Sequence, residues 1–245
     1  MTVGTSISPG VQNASSAKDQ VVVGSGGRGL RTVVILGAVL VVIAGFAAFS
    51  AVRRTTTVSL GPAPAKLPVI SAVPDFTLTE RSGRSVSRAD LLGSVWVADF
   101  IFTRCAGPCP KLSELMRGVQ YALKGETGVK LVSVCLDPEN DTPPALVHYA
   151  KRFNAEADRW WFLTDAEEKR LHALVREGFL QSVVPAKGDD PLLHSTYLVI
   201  VDRSGRIRAA HDGLGADAYE LVLRDVRALS REPVGDDRPD LSAAP

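Results

Sequence analysis

Two cysteines four residues apart, Cys105 and Cys109, lie in the segment Phe-Ile-Phe-Thr-Arg-Cys-Ala-Gly-Pro-Cys-Pro over 100–110. They follow the run SVWVADFIF over 94–102, apolar enough for a strand buried on both faces. Open α/β sheets place ligands at the carboxyl ends of such strands. Pro108 disfavours helical geometry at Gly107, while Pro110 suits a first helical turn. Cys105 is therefore expected in the loop and Cys109 at or just before the helix start. A helix N-terminus favours a thiolate, and the neighbouring Arg104 is expected to do the same. The thiolate is the species that both metal binding and disulfide exchange require. One residue more than the Cys-x-x-Cys redox spacing loosens the disulfide geometry and leaves room for an ion between the sulfurs. Two soft thiolates select Cu(I) or Zn(II), and an added imidazole gives a three-coordinate site that favours copper. Two cysteines are too few for a four-ligand structural zinc site. A permanent disulfide pinning the loop is the competing reading, but closing so short a loop stabilises little.

The imidazole candidate is His194, in Pro-Leu-Leu-His-Ser-Thr-Tyr over 191–197, directly ahead of an expected strand. Asp137 opens Asp-Pro-Glu-Asn-Asp-Thr-Pro over 137–143. It reads equally as turn and cap chemistry or as a carboxylate that orients the cysteine site. Cys135 lies inside an expected strand and reads as an inert buried thiol. Met116, Trp160 and Trp161 read as core, and His148, His172 and His211 as surface residues.

The elements that must position these residues follow from periodicity. A hairpin is expected over 75–79 and 85–86, around Arg81-Ser82-Gly83-Arg84. After the 94–102 strand, residues 110–124 carry an apolar helical stripe at Leu112, Leu115, Met116, Val119 and Leu123. A strand at 129–136 precedes a helix capped by Thr142 with Pro143 at its first position. A short strand at 160–163 leads to a helix capped by Asp165, with Glu168 completing a capping box. A hairpin over 195–201 and 207–210 and a helix at 216–229 close the series. Strands alternating with helices imply an α/β fold, a mixed, largely parallel sheet with helices on both faces. A cysteine pair between the first long strand and its helix narrows this to a thioredoxin-like fold, in which the loop before the 195–201 strand lies beside the cysteine loop.

This domain is expected over 74–231. Ahead of it stand a Gly/Ser-rich tail too apolar-poor to fold (1–32), an uncharged apolar run (33–52) and a Thr/Pro/Ala spacer (53–73). The polar segment 232–245 reads as a second tail. Twenty residues at about 1.5 Å each match the roughly 30 Å hydrocarbon core, so 33–52 reads as one transmembrane helix. A cleavable signal peptide usually has a shorter apolar region, of about 7–15 residues. Flanking charges balance and do not orient the span. The net charge of +1 gives no basis for nucleic-acid binding, and three cysteines are too few for a disulfide framework.

Together these pieces resemble the Sco/SenC family of copper-delivery proteins. The likeness rests on Phe-Thr-Arg-Cys-Ala-Gly-Pro-Cys-Pro (102–110), Asp-Pro-Glu-Asn-Asp-Thr-Pro (137–143), His-Ser-Thr (194–196) and Asp-Arg-Ser-Gly (202–205). It implies a copper ion held by Cys105, Cys109 and His194. It also implies a part in assembling the CuA site of a cytochrome c oxidase subunit, from a single-pass anchor in the cell membrane with the domain on the extracytoplasmic side. Between its cysteines the chain has Ala-Gly-Pro, where most members carry Pro-Asp and an apolar residue. The alternative is an enzyme, a thiol–disulfide oxidoreductase in which one of Cys105 and Cys109 attacks and the other resolves. A sensor of copper or redox state would share the same site residues.

Overall fold

The computed structural model describes residues 36–44, 66–185 and 192–233. Two compact units emerge, Met1–Thr57 and Val58–Pro245. In the first, 36–44 form a helix, α1, with exposed side chains. No helix among the described residues is long and apolar enough to cross a membrane. The rest of the 33–52 run, the tail before it and most of the tail after Glu232 lie outside the described residues.

The second unit is built on an eight-stranded sheet. Its strands are β1 (Ser71–Ala72), β2 (Thr77–Glu80), β3 (Ser85–Ser87), β4 (Val95–Ile101), β5 (Val129–Cys135), β6 (Trp160–Thr164), β9 (Tyr197–Val201) and β10 (Arg206–Asp212). A separate ribbon pairs β7 (Val183–Pro185) with β8 (Leu192–His194). The order in the sheet is β1-β10-β9-β4-β5-β6-β2-β3. β4, β5 and β6 run parallel, and every other pairing is antiparallel. The helices are α2 (Cys109–Ala122), α3 (Pro143–Arg152), α4 (Glu168–Ala173) and α5 (Ala218–Arg231).

All seven residues of β4 are buried, as the continuous apolar run requires of a strand covered on both faces. Alternation then sorts its side chains. Trp96 and Phe100 face the side where Phe179, just after α4, meets both rings edge-on at 5.9 and 5.3 Å. The opposite side carries α2 and α3, joined by a hydrogen bond between Ser113 Oγ and Tyr149 Oη (2.9 Å), with Tyr149 against Phe162 of β6. Helices thus lie on both faces of a mixed sheet, as expected, but the sheet is not largely parallel: only β4, β5 and β6 run parallel, and the flanking hairpins and β9 make most of its pairings antiparallel. Gly213 lies at the turn after β10, where a Cβ would come within 2.4 Å of both Leu112 and Leu198, so only glycine lets α2 close on this end of the sheet.

Several local expectations are corrected. The chain joins the fold before Pro74: Leu67 and Val73 are buried, and Ser71–Ala72 pairs with β10 inside the expected spacer. The fully buried Arg208 holds this entry, donating to the Leu67 and Pro68 carbonyls and pairing with Asp202 and Glu232. Glu232 is therefore fixed to the domain rather than the first residue of a free tail. α4 begins at Glu168 after a Glu167 cap, and no capping box forms. Asp165 instead accepts the Glu167 N–H and holds Arg170. The helix then widens into a π turn over Leu174–Gly178, and Leu180 takes a left-handed φ of 58° before β7. That backbone costs about 1–2 kcal/mol in a non-glycine residue and redirects the chain into the β7–β8 ribbon, which the sequence reading did not contain.

Candidate metal and thiol site

Cys105 and Cys109 emerge at the carboxyl end of β4, one in the loop and one as the first residue of α2. Pro108 caps the helix with helical backbone angles and no side-chain hydrogen bond. The open N–H groups there find another acceptor: Cys105 Sγ takes backbone hydrogen bonds from Gly107 and Cys109. The Cys109 thiol adds the largest contribution, donating to Cys105, and His194 a further one. Against the cost of burial, these hold the Cys105 thiol far below its ordinary range, at about 4. Cys109 moves the other way, because its hydrogen bond to Cys105 holds its proton and burial disfavours a second charge. The pair is therefore one thiolate and one thiol, both buried and unbridged.

His194 arrives from β8. Its backbone pairs with Val183, and the Ser195 N–H donates to the Ser182 carbonyl at 2.9 Å. Its Nδ1 lies 2.9 Å from the Ser195 carbonyl, an acceptor that requires Nδ1 to carry the proton. The other ring nitrogen, Nε2, faces the cysteines and lies 3.2 Å from Cys109 Sγ. Phe102 meets the imidazole edge-on at 5.5 Å. The two sulfurs and an imidazole nitrogen lie within 4.8 Å of one another. Two soft sulfurs and one imidazole nitrogen, with the second ring nitrogen oriented by a carbonyl, suit a soft, low-coordinate ion.

The remaining candidates separate clearly. Arg104 is turned away from the cysteines, into an ion pair with Asp137 at 2.9 Å. Asp137 also accepts from Asn140 Nδ2, so its link to the cysteine loop runs through Arg104. The loop's buried anchor is Asp141, which the sequence reading did not single out. Its carboxylate accepts the Thr103 N–H and hydroxyl (2.8 and 2.7 Å) and the Asp137 N–H (3.1 Å). It thus ties the strand end ahead of Cys105 to the Asp137 turn. The only sequence signal was its place four residues after Asp137. Cys135, Met116 and Trp160 are core, as expected, and Trp161 is buried beneath the Arg84 and Lys130 cations. His148 is exposed, but His172 is buried with Nε2 2.8 Å from the Leu136 carbonyl. His211 is half-buried against Asp225, so neither of these two is a surface residue.

The family model described as SCO1/SenC matches residues 66–229. The chain belongs to the SCO1/SenC family. It is 32% identical to the SCO1 protein homolog of Bacillus subtilis over 166 residues, covering 67% of this chain and 86% of that one. The structure of BsSco, described as a member of the Sco family of cytochrome c oxidase assembly proteins with a disulfide switch, superposes with a TM-score of 0.62 at 30% identity. That match spans 69% of this chain and 99% of BsSco. Arabidopsis thaliana ScoI with copper bound shares the fold at a TM-score of 0.57 and 18% identity, over 66% of this chain and 100% of that one.

Proposed function

We propose that this chain is a membrane-anchored copper carrier that receives copper on Cys105, Cys109 and His194 and passes it to the CuA-bearing subunit of a cytochrome c oxidase. Copper here is cargo. The observation that carries the reading is the convergence of two sulfurs and an imidazole nitrogen of His194 within 4.8 Å. Loading needs the Cys109 proton to leave. Release by ligand exchange suits a three-donor site, because an incoming thiolate has an open face to attack. His194 lines a shallow groove with Ser182, Val184, Ser195, Thr196 and Tyr197, so an acceptor reaches the site from the imidazole side. Val184 and Tyr197 present exposed apolar surface beside it. The apolar run 33–52 is read as the anchor, with the domain held on the extracytoplasmic side, a reading that the family likeness supports.

The opposed shifts of Cys105 and Cys109 favour a second reading on the same residues. A thiolate beside a protonated partner is the arrangement of an attacking and a resolving cysteine in thiol–disulfide exchange. His194 separates the two. Anaerobic titration of the reduced protein with Cu(I) against a chromophoric chelator should show one tight site, lost in Cys105→Ser and Cys109→Ser and weakened in His194→Ala. Undiminished binding in all three variants, or none in the parent, refutes the carrier reading.

A further inference from the structure

Parallel pairing puts the starts of β4, β5 and β6 at one end of the sheet and the cysteine site at the other. The starting end collects basic side chains. Lys124 follows α2, Lys130 lies at the start of β5, Lys151 and Arg152 close α3, Arg159 precedes β6, and Arg84 lies in the β2–β3 turn. Rings and carbonyls hold these groups, not carboxylates. Arg84 and Lys130 lie 4.4 and 4.9 Å from the centre of the Trp161 ring, and Arg152 lies 5.5 Å from that of Tyr149. Arg159 donates to the Leu123 and Lys124 carbonyls, and Lys130 to the carbonyl of Asp158. None of them forms an ion pair among the described residues. Of the acids nearby, Glu80 lies buried against Arg81, Glu126 holds Arg227 and Asp90 caps the Ser87 turn. Glu156 and Asp158 are left against the whole basic set. At the cysteine end, by contrast, Arg104 and Arg170 are each bound by a carboxylate. The chain also joins the fold at the basic end, where Ala72 pairs with Arg206 at the start of β10. Val69, Ile70 and Leu92 keep exposed side chains around that entry.

We propose that this basic end is a docking surface for the anionic headgroups of a bilayer, and that docking turns the cysteine site away from the membrane. The cations come from separate elements and spread across the end, with exposed apolar side chains at its margin. That suits a broad surface of headgroups and acyl chains, not a single small anion. Ring and carbonyl contacts fix the side chains in place without cancelling their charge, so the attraction is available at contact. It falls off over roughly 10 Å at moderate salt, which confines it to an approach by this end. The assignment rests on 33–52 being the anchor of the proposed carrier. Residues 53–66 reach at most about 50 Å when fully extended, so an anchored domain stays close to the surface that its charges fit.

The test places the full chain with vesicles of phosphatidylcholine alone, or of phosphatidylcholine and phosphatidylglycerol in equal parts. Flotation with the neutral vesicles examines the anchor by itself. Amide hydrogen exchange then reads the docking. With phosphatidylglycerol, exchange over 81–84, 124–130 and 151–159 should slow about tenfold or more, and high salt should remove the effect. Each basic side chain near an anionic surface strengthens association roughly fivefold, so Lys124→Gln, Lys130→Gln and Lys151→Gln together should weaken it about a hundredfold and abolish the slowing. Lys124→Arg, Lys130→Arg and Lys151→Arg keep the charge and should keep the protection. If the triple glutamine variant fails to fold, Lys124→Gln with Lys151→Gln, both exposed, should still weaken docking about thirtyfold. Equal exchange in the two lipids, as for a surface that meets an acidic protein instead, overturns the proposal. Slowing confined to the cysteine loop overturns it too. A chain that fails to float with neutral vesicles sinks the anchor reading. Flotation with the mixed vesicles, lost in the triple glutamine variant, would then still support the basic end, and no flotation with either overturns both.

Discussion

Replacing Asp99 by asparagine should invert the usual cost of altering a buried polar residue. In the folded chain burial holds the Asp99 carboxyl at about 7, against 3.8 for the unperturbed group. The folded value is raised, so the stabilising effect of the protonated form is complete below about pH 4. It declines as pH rises, because the unfolded chain ionises first while the folded chain keeps its proton. Above about pH 7 both states are ionised and the loss levels off. A separation of about three units corresponds to about 4 kcal/mol, at 1.36 kcal/mol per unit. Asparagine does not titrate. Its unpaired amide costs about 1–3 kcal/mol, but equally at every pH. Urea unfolding of the parent and of Asp99→Asn should therefore give a stability difference that swings by about 4 kcal/mol in the variant's favour between pH 4 and pH 8. Asp165, Asp202 and Asp225 are all shifted downward and weaken the fold as pH falls, but both proteins share that effect and it cancels in the difference. A difference that stays constant with pH would refute the reasoning, for it would mean that Asp99 is paired and ionised in the fold.

Two further outcomes follow from the site. Alkylation of Cys105, followed by mass spectrometry, should proceed at a rate nearly independent of pH between about 6 and 9, since its thiolate persists far below the ordinary range. A free thiol would instead change by roughly a hundredfold across that interval. A hundredfold rise at Cys105 would show that its partner thiol and the helix N–H groups do not hold the anion. Asp141→Ala leaves the Thr103 and Asp137 N–H groups without an acceptor and should cost about 3 kcal/mol in urea unfolding. A loss below about 0.5 kcal/mol, the level of an ordinary surface substitution, would remove Asp141 as the anchor of the cysteine loop.

The sequence alone determined the parts set by local rules. Apolar runs fixed β4 and β5 as central strands, and the stripe through Leu112, Met116 and Val119 fixed α2, because burial on one or both faces leaves a direct periodic record. The cysteine spacing and the flanking prolines placed Cys105 in a loop and Cys109 at a helix start by backbone restriction alone. Other features depended on contacts far apart in the chain, which leave no periodic trace. The β7–β8 ribbon that carries His194 to Cys109 exists because Leu180 turns the chain out of a π turn, and neither event has a compositional signature. Arg104 stood beside the cysteines in sequence, yet Asp137, thirty-three residues away, takes its charge. His172 and His211 looked like surface residues until the Leu136 carbonyl and Asp225 enclosed them. Asp99 stands in the sequence as the single charge in 94–102, but only the packing of α2 and α3 over β4 shows that it is fully buried beside Ser133 of β5. Charge in a strand can be read from one dimension. What desolvates or neutralises that charge is decided by the surrounding elements.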